Sequence, residues 1–172
     1  MIKGNIIFIG FMGAGKTSIG TECAKKWGKQ FLDTDQYIEA HAGKTIKEIF
    51  KDYGEDTFRQ METEALCSIL DTVENSVISV GGGLPLREIN RGILRQIGTV
   101  VYLKVSPEAV RERLKGDTSR PLLQGESPEE KIKALLTKRG PVYQQAAHMV
   151  VDTDGKTISE IIGELEQAGG AE

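Results

Sequence analysis

The stretch "NIIFIGFMGAGKTSIG", Asn5 to Gly20, decides the fold. Ile6 to Ile9 is a continuous apolar run with β-branched residues, which suits a strand buried on both faces, as in a parallel sheet. Gly10 to Thr17 then matches the pattern G-x-x-x-x-G-K-[ST] of a phosphate-cradling loop. Gly10 closes the strand and Thr17 opens a helix, which is the context that this motif requires. Gly10, Gly13 and Gly15 let the backbone turn tightly and point its N–H groups inward. The helix N-terminus adds roughly half a positive charge toward a bound phosphate. Lys16 can reach the β- and γ-phosphates, and the Thr17 hydroxyl can ligate Mg²⁺. The motif thus names a nucleoside triphosphate as ligand and leaves open where its γ-phosphate goes.

Outward from this loop, further apolar runs predict strands at Gln30–Thr34, Ser76–Val80, Thr99–Val105 and His148–Thr153. Helical patterns lie between them, at Thr17–Trp27, Gln36–His41, Ile46–Lys51, Asp56–Leu70, Arg87–Ile97, Pro107–Lys115, Pro128–Ala147 and Ile158–Gln167. Strand alternating with helix predicts an α/β fold: one domain over residues 1–172, with a five-stranded parallel sheet and helices on both faces. Two stretches break the rhythm. The helix pair over residues 36–72 is longer than one crossover needs. "KGDTSRPLLQGESPEE", Lys115 to Glu130, is rich in Gly, Pro, Ser and charge, and long loops of this kind are often lids.

The 172 residues carry a net charge of -3, which argues against a nucleic-acid binder. An anionic ligand must therefore be held by a few placed Arg and Lys side chains. The two cysteines, Cys23 and Cys67, sit in helical patterns without metal-type spacing and read as reduced thiols of a cytoplasmic protein. No apolar run approaches the roughly 18 residues that span a bilayer, and the N-terminus lacks a signal-peptide cleavage site.

Several side chains are candidates for chemistry. Asp33 and Asp35 follow the second strand, and alternation would point both to one side. A metal ion would let two close carboxylates ionise together. Asp33 then reads as an outer Mg²⁺ ligand acting through water, and Asp35 as the group that meets an acceptor hydroxyl and takes its proton. Taken alone, an Asp-x-Asp pair reads first as a helix cap. Arg59 lies three positions before Glu62 on one helix face, and from pattern alone a surface ion pair is the better reading. The functional reading is an arginine oriented by Glu62 toward an anionic substrate. Gly81 to Gly83 directly follow the third strand and suggest backbone approaching a ligand. Arg120 sits in the expected lid, where it could stabilise transferring charge. Arg139 precedes Gly140 and Pro141, which favours a cation capping a helix end.

Together "GFMGAGKTSIG", "FLDTD", "TFRQMET", "VGGGLP", "SRPLL" and "LTKRGPVY" resemble, in that order, the motifs of the shikimate kinases, over about Ile2 to Leu165. The resemblance implies a P-loop three-layer fold of the nucleoside-monophosphate-kinase type with a lid. It implies transfer of the γ-phosphate of ATP to the 3-hydroxyl of shikimate, a step toward chorismate and the aromatic amino acids. Gly13, Ala14, Gly15, Lys16, Thr17 and Ser18 would hold the ATP phosphates, with Thr17 on Mg²⁺. Asp35, Arg59, Gly82 and Arg139 would bind shikimate, Asp35 at the reacting hydroxyl and the two arginines at the carboxylate. Arg120 would be the lid arginine, and Arg113 with the loop near Asp152 to Lys156 would flank adenine. ATP and shikimate are the implied partners, and a monomer the expected state.

Four other readings compete, one of them a degenerate, non-catalytic binding module, which the presence of Lys16, Thr17, Asp35 and Arg120 disfavours. A gluconate-type sugar-acid kinase also phosphorylates a hydroxylated carboxylate; the Asp33–Asp35 pair and the glycine run favour shikimate. A nucleoside-monophosphate kinase would need a phosphate-binding cluster where one helical arginine stands. A GTP-dependent switch would read guanine through N-K-x-D, which does not occur here.

Overall fold

A computed structural model describes residues 2–115 and 127–170. Five strands form one sheet in the order β2-β3-β1-β4-β5, and every pairing is parallel. The strands are β1 (Asn5–Ile9), β2 (Gln30–Asp33), β3 (Ser76–Ser79), β4 (Gly98–Lys104) and β5 (Met149–Asp152). The helices are α1 (Lys16–Trp27), α2 (Thr34–Ala42), α3 (Ile46–Thr72), α4 (Glu88–Ile97), α5 (Pro107–Arg113), α6 (Pro128–Ala146) and α7 (Ile158–Gly169). β1 lies between β3 and β4, in register Ile6 with Val77 and Ile7 with Val100. Ile6, Ile7, Phe8 and Ile9 are all fully buried, because helices cover both faces of the sheet. α1 packs on β1 and β3 and touches α7; α4 and α6 pack on β4, and α3 packs on α4. Among the described residues no helix is long and apolar enough to cross a membrane.

The structure refines the sequence reading at particular residues. β2 ends at Asp33 because Asp33 Oδ1 accepts from the backbone N–H of Asp35 and of Gln36, at 2.9 and 3.1 Å, and so caps α2. Asp35 therefore stands in the first turn of a helix, and strand alternation does not set its direction. α3 opens with a reciprocal capping box between Thr45 and Glu48. The two helices expected before β3 form one run broken at Gly54, whose φ of 83° is non-helical and favours glycine. A short 3₁₀ turn at Leu84–Leu86 was not expected. α6 runs through Gly140 and Pro141 to Ala146, as the helical pattern over Pro128–Ala147 predicts, so Arg139 is interior to the helix and is not the cap that its place before Gly140 favours. Burial of Arg139 and Tyr143 holds the helix through the proline, tertiary packing overriding local propensity. The expected lid falls largely on residues 116–126, and Arg120 with it lies outside the described residues.

Candidate active site

The phosphate loop joins β1 to α1 at the carboxyl edge of the sheet, where ligands bind in folds of this type. Gly13 and Gly15 adopt φ of 76° and 87°, so the loop curls as its motif demands. Lys16 Nζ donates to the carbonyls of Gly10 and Phe11, at 2.7 and 3.0 Å, which lays the ammonium across the loop. Arg113 Nη1 donates to the Gly13 carbonyl at 2.8 Å, and its Nη2 to the Thr153 carbonyl at 3.3 Å. This arginine thus links the loop to the segment after β5.

One cavity brings the separate sequence candidates together. Gly13, Gly15, Lys16, Thr17 and Ser18 line one wall, and Asp33, Asp35, Gly81 and Gly82 line another. Ala14 is buried behind the loop. Thr34 Oγ1 accepts from Gly81 N–H at 3.2 Å and ties the start of α2 to the glycine run.

Each glycine of that run makes room for a charged or polar side chain from a different helix. A Cβ at Gly81 would lie 3.1 Å from both Asp35 Oδ1 and Glu62 Oε2. One at Gly82 would lie 3.6 Å from Tyr143 Oη and 3.7 Å from Arg139 Nη1. One at Gly83 would come within 2.5 Å of Arg59 Nη1, inside van der Waals contact. The run therefore serves less as a flexible turn than as a seat for α2, α3 and α6 side chains.

Arg59 and Glu62 do not form the exposed ion pair that the pattern alone favoured. Arg59 Nη1 meets Glu62 Oε1 at 2.6 Å, with the Glu62 side chain 1% exposed. Glu55 holds Nη2 at 3.3 Å, and the guanidinium lies 5.3 Å from the centre of the Phe58 ring. Burial pushes the Glu62 carboxyl up to about 7; Arg59 opposes this, and the Asp35 charge adds to it. Burial works against the Arg59 charge, but Glu62 and Glu55 outweigh it and raise its pKa.

Arg139 is 8% exposed, with its guanidinium 5.8 Å from the centre of the Phe11 ring. Tyr143 donates its hydroxyl to the Gly82 carbonyl at 2.5 Å, and burial pushes its pKa up to about 12. The sequence reading missed Tyr143 and Thr34. The signal for Tyr143 was available: an aromatic residue with a polar tip, one helical turn beyond an arginine.

Thr17 and Asp33 fit a Mg²⁺ ion held mainly by phosphates. Both line the same cavity, and hard oxygen donors of this kind, one hydroxyl and one carboxylate, suit that ion. Asp33 Oδ1 is committed to the α2 cap, so a metal-bound water would meet Oδ2. Among the described residues, no group of three or more His, Cys, Asp or Glu could hold a metal by itself.

A phosphate loop facing a carboxylate-bearing wall across one cavity, on this parallel sheet, defines a small-molecule kinase of the P-loop class. The sequence profile of the family described as shikimate kinase matches residues 12–168. A shikimate kinase of Thermodesulfovibrio yellowstonii is 46% identical over 157 residues, 91% of this chain and 90% of that protein. One of Moorella thermoacetica is 44% identical over 167 residues, 97% of this chain and 95% of that protein. The solved shikimate kinase of Acinetobacter baumannii in complex with shikimate matches with a TM-score of 0.90 and 38% identity, over 96% of this chain and 92% of that one. The chain belongs to the shikimate kinase family. The sugar-acid alternative is not favoured by these relatives.

Proposed function

We propose that the chain transfers the γ-phosphoryl group of ATP to the 3-hydroxyl of shikimate, giving shikimate 3-phosphate and ADP, on the route to chorismate. The observation that carries this reading is the seating of Asp35, Arg139 and Arg59 along Gly81 to Gly83, opposite the phosphate loop. Gly13 to Ser18 hold the phosphates through backbone N–H groups and the α1 dipole. Lys16 exchanges its loop carbonyls for the β- and γ-phosphate oxygens. Arg59 and Arg139 clamp the shikimate carboxylate, which fixes the ring and turns one hydroxyl toward Asp35. The hydroxyl oxygen attacks γ-phosphorus, the bond to the β–γ bridging oxygen breaks, and the proton passes to Asp35. Bound Mg²⁺, held by Thr17 and through water by Asp33, supplies charge neutralisation of the phosphates. Arg113 flanks adenine, and Arg120 supplies the lid cation. The enzyme acts as a cytoplasmic monomer in this reading.

The test is ADP release from Mg·ATP with a panel of hydroxy-acids. Shikimate should outpace gluconate and quinate by well over tenfold in kcat/KM. Faster turnover of gluconate would reject the acceptor assignment.

A further inference from the structure

Glu62 holds an unexplained feature of this site. Its Oε1 accepts from Arg59, but its Oε2 is buried without a hydrogen-bond partner. That oxygen points under Gly81, toward Asp35 Oδ1. Both oxygens lie 3.1 Å from the position a Gly81 Cβ would take, so they are at most twice that distance apart. Two carboxylates thus approach each other from α2 and α3 across a glycine that leaves the gap open.

The other charges facing Glu62 are few. Arg59 comes from its own helix and also pairs with Glu55. Asp35 comes from α2, and Arg87 reaches in from the start of α4. The strand-to-turn segment at Gly81 adds no charge. Among the described residues Arg59 is therefore the close cation for Glu62. An anionic acceptor seated at Arg59 brings another carboxylate to the same guanidinium.

We infer that Glu62 takes up a proton when the carboxylate of the acceptor binds at Arg59, so that the arginine serves one carboxylate at a time. The inference rests on the acceptor placement proposed above. The proton comes from solvent or buffer and lands on Glu62, and no bond of the acceptor changes. The empty site is poised for such an exchange, since burial already places the Glu62 carboxyl near neutrality, at about 7. The arriving negative charge pushes it further up.

Calorimetric titration of shikimate in buffers of different ionisation enthalpy counts the protons. Near pH 7, wild type should take up about half a proton per shikimate, because about half of the Glu62 groups are already protonated there. Shikimate affinity should weaken as pH rises above about 7, by up to roughly tenfold per pH unit. Glu62→Gln should bind without proton uptake and with an affinity that is flat from about pH 6 to 8. The wild-type buffer series stands by itself if that variant does not fold. No proton uptake by wild type, or proton release, would overturn the inference. Uptake that persists in folded Glu62→Gln would overturn it too and give the proton to another group. An Arg59→Ala arm separates the two layers of the argument. Unchanged shikimate binding there would reject the acceptor placement itself. Lost binding there, with no proton exchange in wild type, would reject the Glu62 inference alone.

Discussion

Replacing Glu62 by Gln should make the ligand-free protein more stable near neutral pH, although it removes a charged group from an ion pair. The carboxyl ionises near 4.5 in the unfolded chain and at about 7 in the folded one. Below about pH 4 both states are protonated and the shift costs nothing. Between these values the unfolded chain loses its proton while the native state keeps it, so stability falls as pH rises. Above about pH 7 both are ionised and the cost is complete. The interval from 4.5 to about 7, at roughly 1.4 kcal/mol per pH unit, gives about 3 kcal/mol. No discount for solvent screening is due, because the Glu62 side chain is 1% exposed. The attraction of Arg59 is already contained in that shifted value, so the ion pair is not a separate gain to set against it. Glutamine copies the shape and donor pattern of the protonated acid, and its carbonyl can still accept from Arg59. The variant should therefore match wild type near pH 4 and exceed it by about 3 kcal/mol near pH 8, or roughly 6–12 °C in Tm for a chain of this size. Urea denaturation of both proteins across that range measures the difference, and unrelated titrations cancel in it. A variant that is equally or less stable near pH 8 would refute the reasoning. An offset independent of pH would show a packing effect instead.

Three further outcomes follow from the geometry. Arg59→Ala and Arg139→Ala should each weaken shikimate binding by tens- to thousands-fold and leave ATP binding little changed, since removing one partner of a desolvated pair costs roughly 2–5 kcal/mol; calorimetry with shikimate and its uncharged amide checks this, and equal losses for both ligands would contradict it. Gly83→Ala should fold normally, because its φ of -87° suits alanine, yet the new Cβ displaces the Arg59 guanidinium. Its KM for shikimate should rise about tenfold or more with KM for ATP unchanged, and steady-state kinetics with both substrates varied decides this. Lys16→Ala should fold but lose on the order of a hundredfold or more in kcat, as single-turnover measurement of ADP formation would show.

The centre of the sheet was legible because β1 and β3 are buried along their whole length and most of β4 is, so that β1 above all is an unbroken apolar run that no amphipathic helix would show. The phosphate loop was legible because its function is local: glycines, lysine and hydroxyl fall within eight residues of one another. The acceptor side was harder, because its information is spread across α2, α3, α6 and the glycine run. Spacing alone made Arg59 and Glu62 a surface pair, since nothing in a helical repeat says which face a neighbouring loop will cover. The helical pattern over Pro128–Ala147 was legible, but the local Gly140–Pro141 signal made Arg139 a helix cap, since nothing local shows that Arg139 and Tyr143 are buried. Gly81 to Gly83 were recognised as a place of close approach to a ligand, but the groups seen approaching them are protein side chains. The reading of Asp33 and Asp35 divided in two: Asp33 is the cap, and Asp35, in the first turn of the same helix, faces Glu62 across Gly81.

How an acidic chain holds two anionic substrates follows from this division of labour. A net charge of -3 draws no anion in, so each site must work by short-range, oriented contacts. For the triphosphate these are backbone N–H groups, the end of α1 and Lys16, and none needs a basic surface. For the carboxylate, on the placement proposed above, they would be two guanidinium groups that the fold already restrains. Arg59 is held by Glu62, Glu55, the Phe58 face and the bare backbone of Gly83. Arg139 is held between the Phe11 ring and Gly82. Immobilising a long side chain on binding costs about 0.5–1.5 kcal/mol, and here folding has already met much of that cost for both. Lysine has neither the planar fork nor the face that stacks on an aromatic ring, so it could fill neither position without losing the geometry. The buried Glu62 is what such restraint of Arg59 requires, and its raised pKa near neutrality is the consequence: the same carboxylate that orients the arginine must yield it when the substrate binds.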